Sequence, residues 1–207
     1  MRIQPASRRV AVLLSGRGSN FRAIAGHVAS GALDAEVACV LGNREDAAGL
    51  REARSRGFDA VCVPSRGVDR EAFDAAVAAE LRAHRVSLVC LAGFMRVLGP
   101  GFVRAFPNAI LNIHPSLLPA FPGLDAQQQA VDHGVRFSGC TVHFVDDLLD
   151  GGPIVKQAVV PVLADDSVEA LSERILAEEH RIYSEAIGVV LDGRCEIRGR
   201  RVVIHED

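Results

Sequence analysis

The sequence predicts a doubly wound α/β fold, a mostly parallel sheet with antiparallel C-terminal strands and a long C-terminal helix. Three observations predict it. Short apolar runs recur along the chain, and segments of helical period separate the first of them. After residue 134 two strand-like runs then follow one another with no helix between.

The runs Val10–Leu14, Val37–Leu41, Ala60–Val63, Val86–Leu91 and Ala109–Ile113 are apolar at nearly every position. That composition suits strands buried on both faces of a parallel sheet. Asn20–Ser30, Asp46–Arg56 and Arg70–His84 lie between them and are long enough for crossover helices. In the third, Phe73, Val77 and Leu81 recur every four residues on one face. Repeated βαβ units imply right-handed crossovers. Val135–Val145 and Ile154–Val162, joined by the acidic, Gly-rich loop Asp146–Pro153, read as antiparallel or mixed additions to that sheet. A long helix follows. Asp166 and Glu169 give it a capping-box-like start, Leu171, Ile175, Ile182, Ala186 and Val190 an apolar stripe, and Gly193 an end. Cys195–Ile204, turning near Gly199, reads as a terminal hairpin. With no repeat, linker or low-complexity tract, residues 1–207 are expected to form one domain.

Composition narrows the function. At 49% hydrophobic and 24% charged residues the chain has ample material for a core. No apolar run approaches the roughly 18 residues of a membrane helix, and Val10–Leu14 is too short for a signal-peptide core. A net charge of −3 with no Trp and one Tyr argues against nucleic-acid binding. The five cysteines are odd in number, widely spaced and free of CxxC motifs, so they read as reduced, buried thiols. A cytoplasmic protein acting on small molecules, with no metal, is the expectation.

In an open parallel sheet ligands bind beyond the carboxyl ends of the strands, where strand order reverses. The segment after the first strand is Ser15-Gly16-Arg17-Gly18-Ser19-Asn20. Its glycines permit a tight turn that aims backbone N–H groups at an anion. Phe21 stands where a dinucleotide fingerprint needs its third glycine, so a phosphate monoester suits the loop better than NAD or ATP. An ordinary strand-to-helix turn capped by Ser19 is the alternative. Leu91–Pro100, after the fourth strand, stays apolar past the strand end. It would wall a flat pocket with Arg96 free for a carboxylate, or simply pack a short helix. In Asn112-Ile113-His114-Pro115, alternation puts Asn112 and His114 on one side of a strand end. An amide beside an imidazole offers oxyanion donors and a group titrating near neutrality. Of the carboxylates that could orient His114, Asp146 and Asp147 read as solvated loop charges. Asp150, beside Gly151-Gly152, is the better candidate, while His143 reads as a buried strand histidine within reach of the site.

With these residues assembled, the sequence resembles the phosphoribosylglycinamide formyltransferase family of purine biosynthesis, which uses 10-formyltetrahydrofolate. The resemblance rests on SGRGSNFRAI, LAGFMRVLGPGFV, ILNIHPSLLPAFPG, SGCTVHFVDDLLDGGPIV and AEEHRIY, in the right order over residues 10–193. It implies a Rossmann-like formyltransferase fold. Residues 8–114 would form the phosphate-binding half, and 115–207 would complete the folate site. It further implies a catalytic trio of Asn112, His114 and Asp150. Gly18, Ser19, Asn20 and Glu179 would bind ribotide, and Arg70, Met95, Arg96, Val97, Leu98 and Asn112 would bind folate. A monomer or homodimer is implied. After FPG many members carry histidines where this chain has Asp125-Ala126-Gln127. Formyltetrahydrofolate deformylase, with a similar trio, is the alternative reading; it normally adds an N-terminal regulatory domain. Methionyl-tRNA formyltransferase adds a C-terminal domain for which the 14 residues after Gly193 are too few.

Overall fold

A computed structural model describes residues 1–205. Nine strands among them form a single sheet in the order β3-β2-β1-β4-β5-β6-β7-β9-β8. The first five are β1 (Arg9–Leu14), β2 (Glu36–Gly42), β3 (Ala60–Cys62), β4 (Leu88–Leu91) and β5 (Ile110–His114). All pairings among these five are parallel. Strand order reverses between β1 and β4, so the loops after these two strands open onto the switch-point crevice. β6 (Phe137–Phe144) then runs antiparallel to β5, and β7 (Ile154–Pro161) antiparallel to β6. β8 (Cys195–Arg198) and β9 (Arg201–Ile204) form the terminal hairpin, which joins the sheet through β9 and β7.

The near-continuous apolar strands bury both faces, as their composition requires. Val10, Val12 and Leu14 of β1 face one core cluster, shared with α1 (Ser19–Ala29) and α6 (Val168–Leu191). Ala11 and Leu13 face the other, shared with α3 (Arg70–Ala83). Phe73, Val77 and Leu81 are the side chains α3 contributes there. Asp69 caps α3, its carboxylate accepting from the N–H groups of Glu71 and Ala72. α2 (Ala48–Ser55) completes the crossovers. Among the described residues no helix is long and apolar enough to cross a membrane. All five cysteines are free thiols and four are buried. Burial pushes the Cys39 and Cys140 thiols up to about 12.

Two features depart from the sequence reading. The cap of α6 is Ser167, whose hydroxyl accepts from the Ala170 N–H, and not Asp166. Asp166 is already committed: it accepts from the Leu163 N–H and forms a two-pronged ion pair with Arg174 at 2.7 and 2.8 Å. Of the two short helices, α4 (Pro100–Ala105) entered the sequence reading only as the alternative for the segment after the fourth strand, and α5 (Ala126–Asp132) not at all, because six or seven residues show too little periodicity.

The single tyrosine fixes the edge on which the site is built. Tyr183 of α6 is fully buried, its hydroxyl 2.9 Å from the Leu91 carbonyl and 3.0 Å from that of Leu111. It thereby ties the carboxyl end of β4 and the first half of β5 to the long helix.

Candidate active site

The loop after β1 forms one wall of a cleft of about 1310 Å³ that runs along the carboxyl edge. Gly18 ends the loop at φ 73° as the N-cap of α1, with no side-chain cap and no acidic residue in the first turn. The first N–H groups of α1 are therefore left without a side-chain acceptor, an arrangement suited to an anion. A Cβ on Gly18 would lie 2.8 Å from Gly49 Cα, so glycine is needed both for the φ and for the close approach of α2. The loop is also tied to the segment after β4. Ser15 N–H donates to the Gly93 carbonyl, and Ser15 Oγ accepts from the Met95 N–H at 2.7 Å.

Asn20 and Glu179 line the same cleft and are bonded to each other, Asn20 Nδ2 donating to Glu179 Oε2 at 2.8 Å. Burial pushes the Glu179 carboxyl up, and the Asn20 amide opposes that rise. The Asn20 side chain thus holds Glu179. Asn43, at the end of β2, also lines the cleft. It donates to Ser65 Oγ, while its buried Oδ1 has no partner among the described residues. The sequence reading did not name this residue.

The wall after β4 differs from expectation in two side chains. Met95 and Val97 are exposed, at 70% and 61%. Arg96 is anchored by its surroundings: its guanidinium donates two of its five N–H groups to the carbonyls of Ser65 and Val68 and lies 4.9 Å from the Phe73 ring centroid. Leu98 is buried in the core with Phe102, so its side chain supports the wall from behind. Arg70 sits exposed at the start of α3. Asp74, one turn on, accepts from the Gly99 N–H and anchors the segment to α3.

Asn112, His114 and Asp150 come together beside this cleft, whose lining includes Ile113 and Pro115, the chain neighbours of His114. His114 is 5% exposed; its Nδ1 lies 3.4 Å from Asp150 Oδ2 and its Nε2 2.9 Å from the Phe121 carbonyl oxygen. Both ring nitrogens face oxygen acceptors. Burial alone would raise the Asp150 carboxyl. The Gly123 N–H, donating at 2.8 Å, and the neighbouring His114 oppose that rise, and the carboxyl is held below its usual range. Asp150 adopts φ 50°, a left-handed conformation that Asp tolerates better than most residues, and the two glycines that follow pack closely against the chain. A Cβ on Gly152 would lie 1.8 Å from the Phe144 carbonyl oxygen. Gly152→Ala is therefore expected to lower stability by about 1–3 kcal/mol, the usual effect of overpacking, and to displace Asp150. Urea denaturation checks the first part, and native stability in that variant would refute it.

Segment 121–123 was missed in the sequence, although its Phe121 carbonyl and Gly123 N–H hold His114 and Asp150 respectively. Backbone groups carry no residue-type signal. His143 lies closer to the chemistry than a buried strand histidine would, 3.2 Å from Asn112 and 3.7 Å from Asp150. Asp146 caps the Leu148 N–H instead. In the Asp125-Ala126-Gln127 stretch, Asp125 precedes α5, Ala126 is buried and Gln127 lines the cleft.

The formyl transferase family matches residues 8–187. The chain belongs to the formyl transferase family. This formyl transferase is 54% identical to a glycinamide ribonucleotide transformylase 1 from Symbiobacterium toebii, with a TM-score of 0.94 over 97% of this chain and 95% of that one. It is 42% identical to the phosphoribosylglycinamide formyltransferase of Escherichia coli, over 91% of this chain and 89% of the relative. A trifunctional purine biosynthetic protein of Drosophila melanogaster is 43% identical over 90% of the chain, which spans only 14% of that protein's length. A formyltetrahydrofolate deformylase from Pseudomonas syringae shares the fold at a TM-score of 0.90 but only 29% identity, over 97% of this chain and 66% of its own.

Proposed function

We propose that this formyl transferase moves the formyl group of 10-formyltetrahydrofolate to the amine of phosphoribosylglycinamide. The products are N-formylglycinamide ribotide and tetrahydrofolate, a step of de novo purine synthesis. The observation that carries this reading is the convergence of Asn112, His114 and Asp150 beside a cleft that also contains an uncapped helix N-terminus. Acyl transfer to a phosphorylated amine needs both, side by side.

In this reading the amine nitrogen bonds to the formyl carbon and the formyl oxygen takes up negative charge. Asn112 and the His114 imidazolium stabilise that oxyanion, as preorganised donors do. His114 Nε2 reaches it by releasing the Phe121 carbonyl. The bond from carbon to the folate nitrogen then breaks, and the amine proton passes to that nitrogen through His114 or a water held by Asp150. Backbone N–H groups of Gly18, Ser19 and Asn20 hold the phosphate, and Glu179 the ribose hydroxyls. Met95 and Val97, backed by Leu98 and Arg96, line the pterin pocket, and Arg70 meets the glutamate tail. The free cysteines, four of them buried, fit a cytoplasmic protein, and the resemblance implies a monomer or homodimer.

The deciding experiment measures tetrahydrofolate release with and without ribotide. Release that depends on ribotide, with formylated product, is expected. Equal release without ribotide would establish the deformylase reading instead.

Asn20→Ala separates the two halves of the cleft. It removes the partner of a buried carboxyl, so ribotide should bind about tenfold more weakly, the equivalent of about 1.4 kcal/mol. Folate binding should stay within about twofold, because its wall follows a different strand. Calorimetric titration of each ligand alone checks this, and equal losses for both would show a general loosening of the site.

A further inference from the structure

Asn112 on β5 and His143 on β6 stand directly opposite one another in the antiparallel pair, so their side chains leave the same face of the sheet. His143 Nδ1 lies 2.9 Å from the Phe144 carbonyl oxygen. A carbonyl only accepts, so Nδ1 carries a hydrogen. His143 Nε2 lies 3.2 Å from Asn112 Nδ2, within hydrogen-bond range, and 3.7 Å from Asp150 Oδ1, beyond it. In the neutral ring with hydrogen on Nδ1, Nε2 presents a lone pair, and the Asn112 amide donates to it.

The two imidazoles around Asp150 therefore have different partners. His114 faces two oxygen acceptors, which suits a cation. His143 faces one carbonyl and one amide donor, which suits the neutral ring. Asp150 and His114 are the other titratable groups that share this pocket with it. An Asn side chain has no intrinsic preference for which end is nitrogen; its network sets that. Were His143 to carry hydrogen on Nε2, Asn112 would have to turn its oxygen toward the ring, and its NH₂ would move to the opposite side.

We propose that His143 is a positioning residue for Asn112. Fixed as the neutral Nδ1–H tautomer by the Phe144 carbonyl, it accepts one amide hydrogen, locks the orientation of the amide, and leaves the second hydrogen for the oxygen of the reacting group. An amide free to flip would alternately aim its own oxygen at the developing oxyanion, which repels it.

This role rests on the formyl-transfer reading, whereas the proton positions exist without substrate, and two measurements keep them apart. Nitrogen NMR of the ¹⁵N-labelled full chain near neutral pH, assigned with His143→Gln, should show His143 with hydrogen on Nδ1 alone. Hydrogen on Nε2 would overturn the proposal. In kinetics, His143→Leu should lower kcat by between about tenfold and a hundredfold, the upper figure being the loss of a whole oxyanion donor. KM for either substrate should change less than about threefold, because orientation matters most in the transition state. His143→Gln, whose side-chain oxygen reaches the Nε2 position, should recover most of that loss. His143→Leu turning over as fast as His143→Gln would also overturn it. Should the leucine variant fail to fold, the wild-type spectrum decides. A wild-type chain that transfers no formyl group would end the formyl-transfer reading, while the spectrum would still report the tautomer.

Discussion

Replacing His114 by alanine is expected to cut formyl transfer by about a hundredfold or more, the loss typical of a missing oxyanion donor. Ribotide affinity should stay near that of the unaltered protein, because the α1 N-terminus and Glu179 lie on other elements. The ring is 5% exposed but spends its contacts on polar partners, Asp150 and the Phe121 carbonyl, so its removal takes little from the apolar core. Asp150 keeps the Gly123 N–H after the change. Steady-state transfer rates, with circular dichroism as a control for folding, provide the check. Turnover within about threefold of the unaltered protein, far short of the usual loss, would remove His114 from the chemistry.

Asp150→Asn should have a comparable effect at neutral pH and a different signature. The asparagine oxygen can still accept from Gly123 N–H, so the loop keeps its shape while the charge beside His114 disappears. A nearby carboxylate favours the imidazolium, so its loss makes that form harder to reach. Activity is expected to fall strongly near neutrality and to return in part at lower pH, where the ring takes up its proton unaided. The return ends where the attacking amine becomes too protonated. Because the Asp150 carboxyl is held below its usual range, it stays ionised in the unaltered enzyme well into acid. The two profiles should therefore separate on their acid sides. A uniform loss at every pH would assign Asp150 to holding segment 121–123, with the imidazole charge set elsewhere.

Much of this site was legible in the sequence because it sits where βαβ geometry puts ligands. Apolar runs at consecutive positions marked strands buried on two faces. Their carboxyl ends then singled out the loop at Gly18 and the pair Asn112 and His114 before any resemblance was considered. Asp150 could be preferred over Asp146 and Asp147 because the glycines after it signal a special backbone. The cap of α6 was misassigned by one residue. Asp166 and Ser167 are both good capping residues, and the ion pair to Arg174, eight residues on, decided between them.

The sequence by itself determined the order of elements, the parallel first half of the sheet and the residue types at the strand ends. Each follows from local periodicity, burial of apolar surface and turn chemistry. Tertiary structure alone decided the partners of those residues. Arg96 is anchored by the carbonyls of Ser65 and Val68, Asn20 by Glu179, and His114 by the Phe121 carbonyl. His143 gained its place opposite Asn112 only when β6 paired with β5 in a particular register. A one-residue slip would have sent that imidazole to the other face of the sheet. Register, backbone carbonyls and the direction of a long side chain are set by contacts distant in sequence. Local pattern therefore names the groups in this site, and packing decides which atom each one meets.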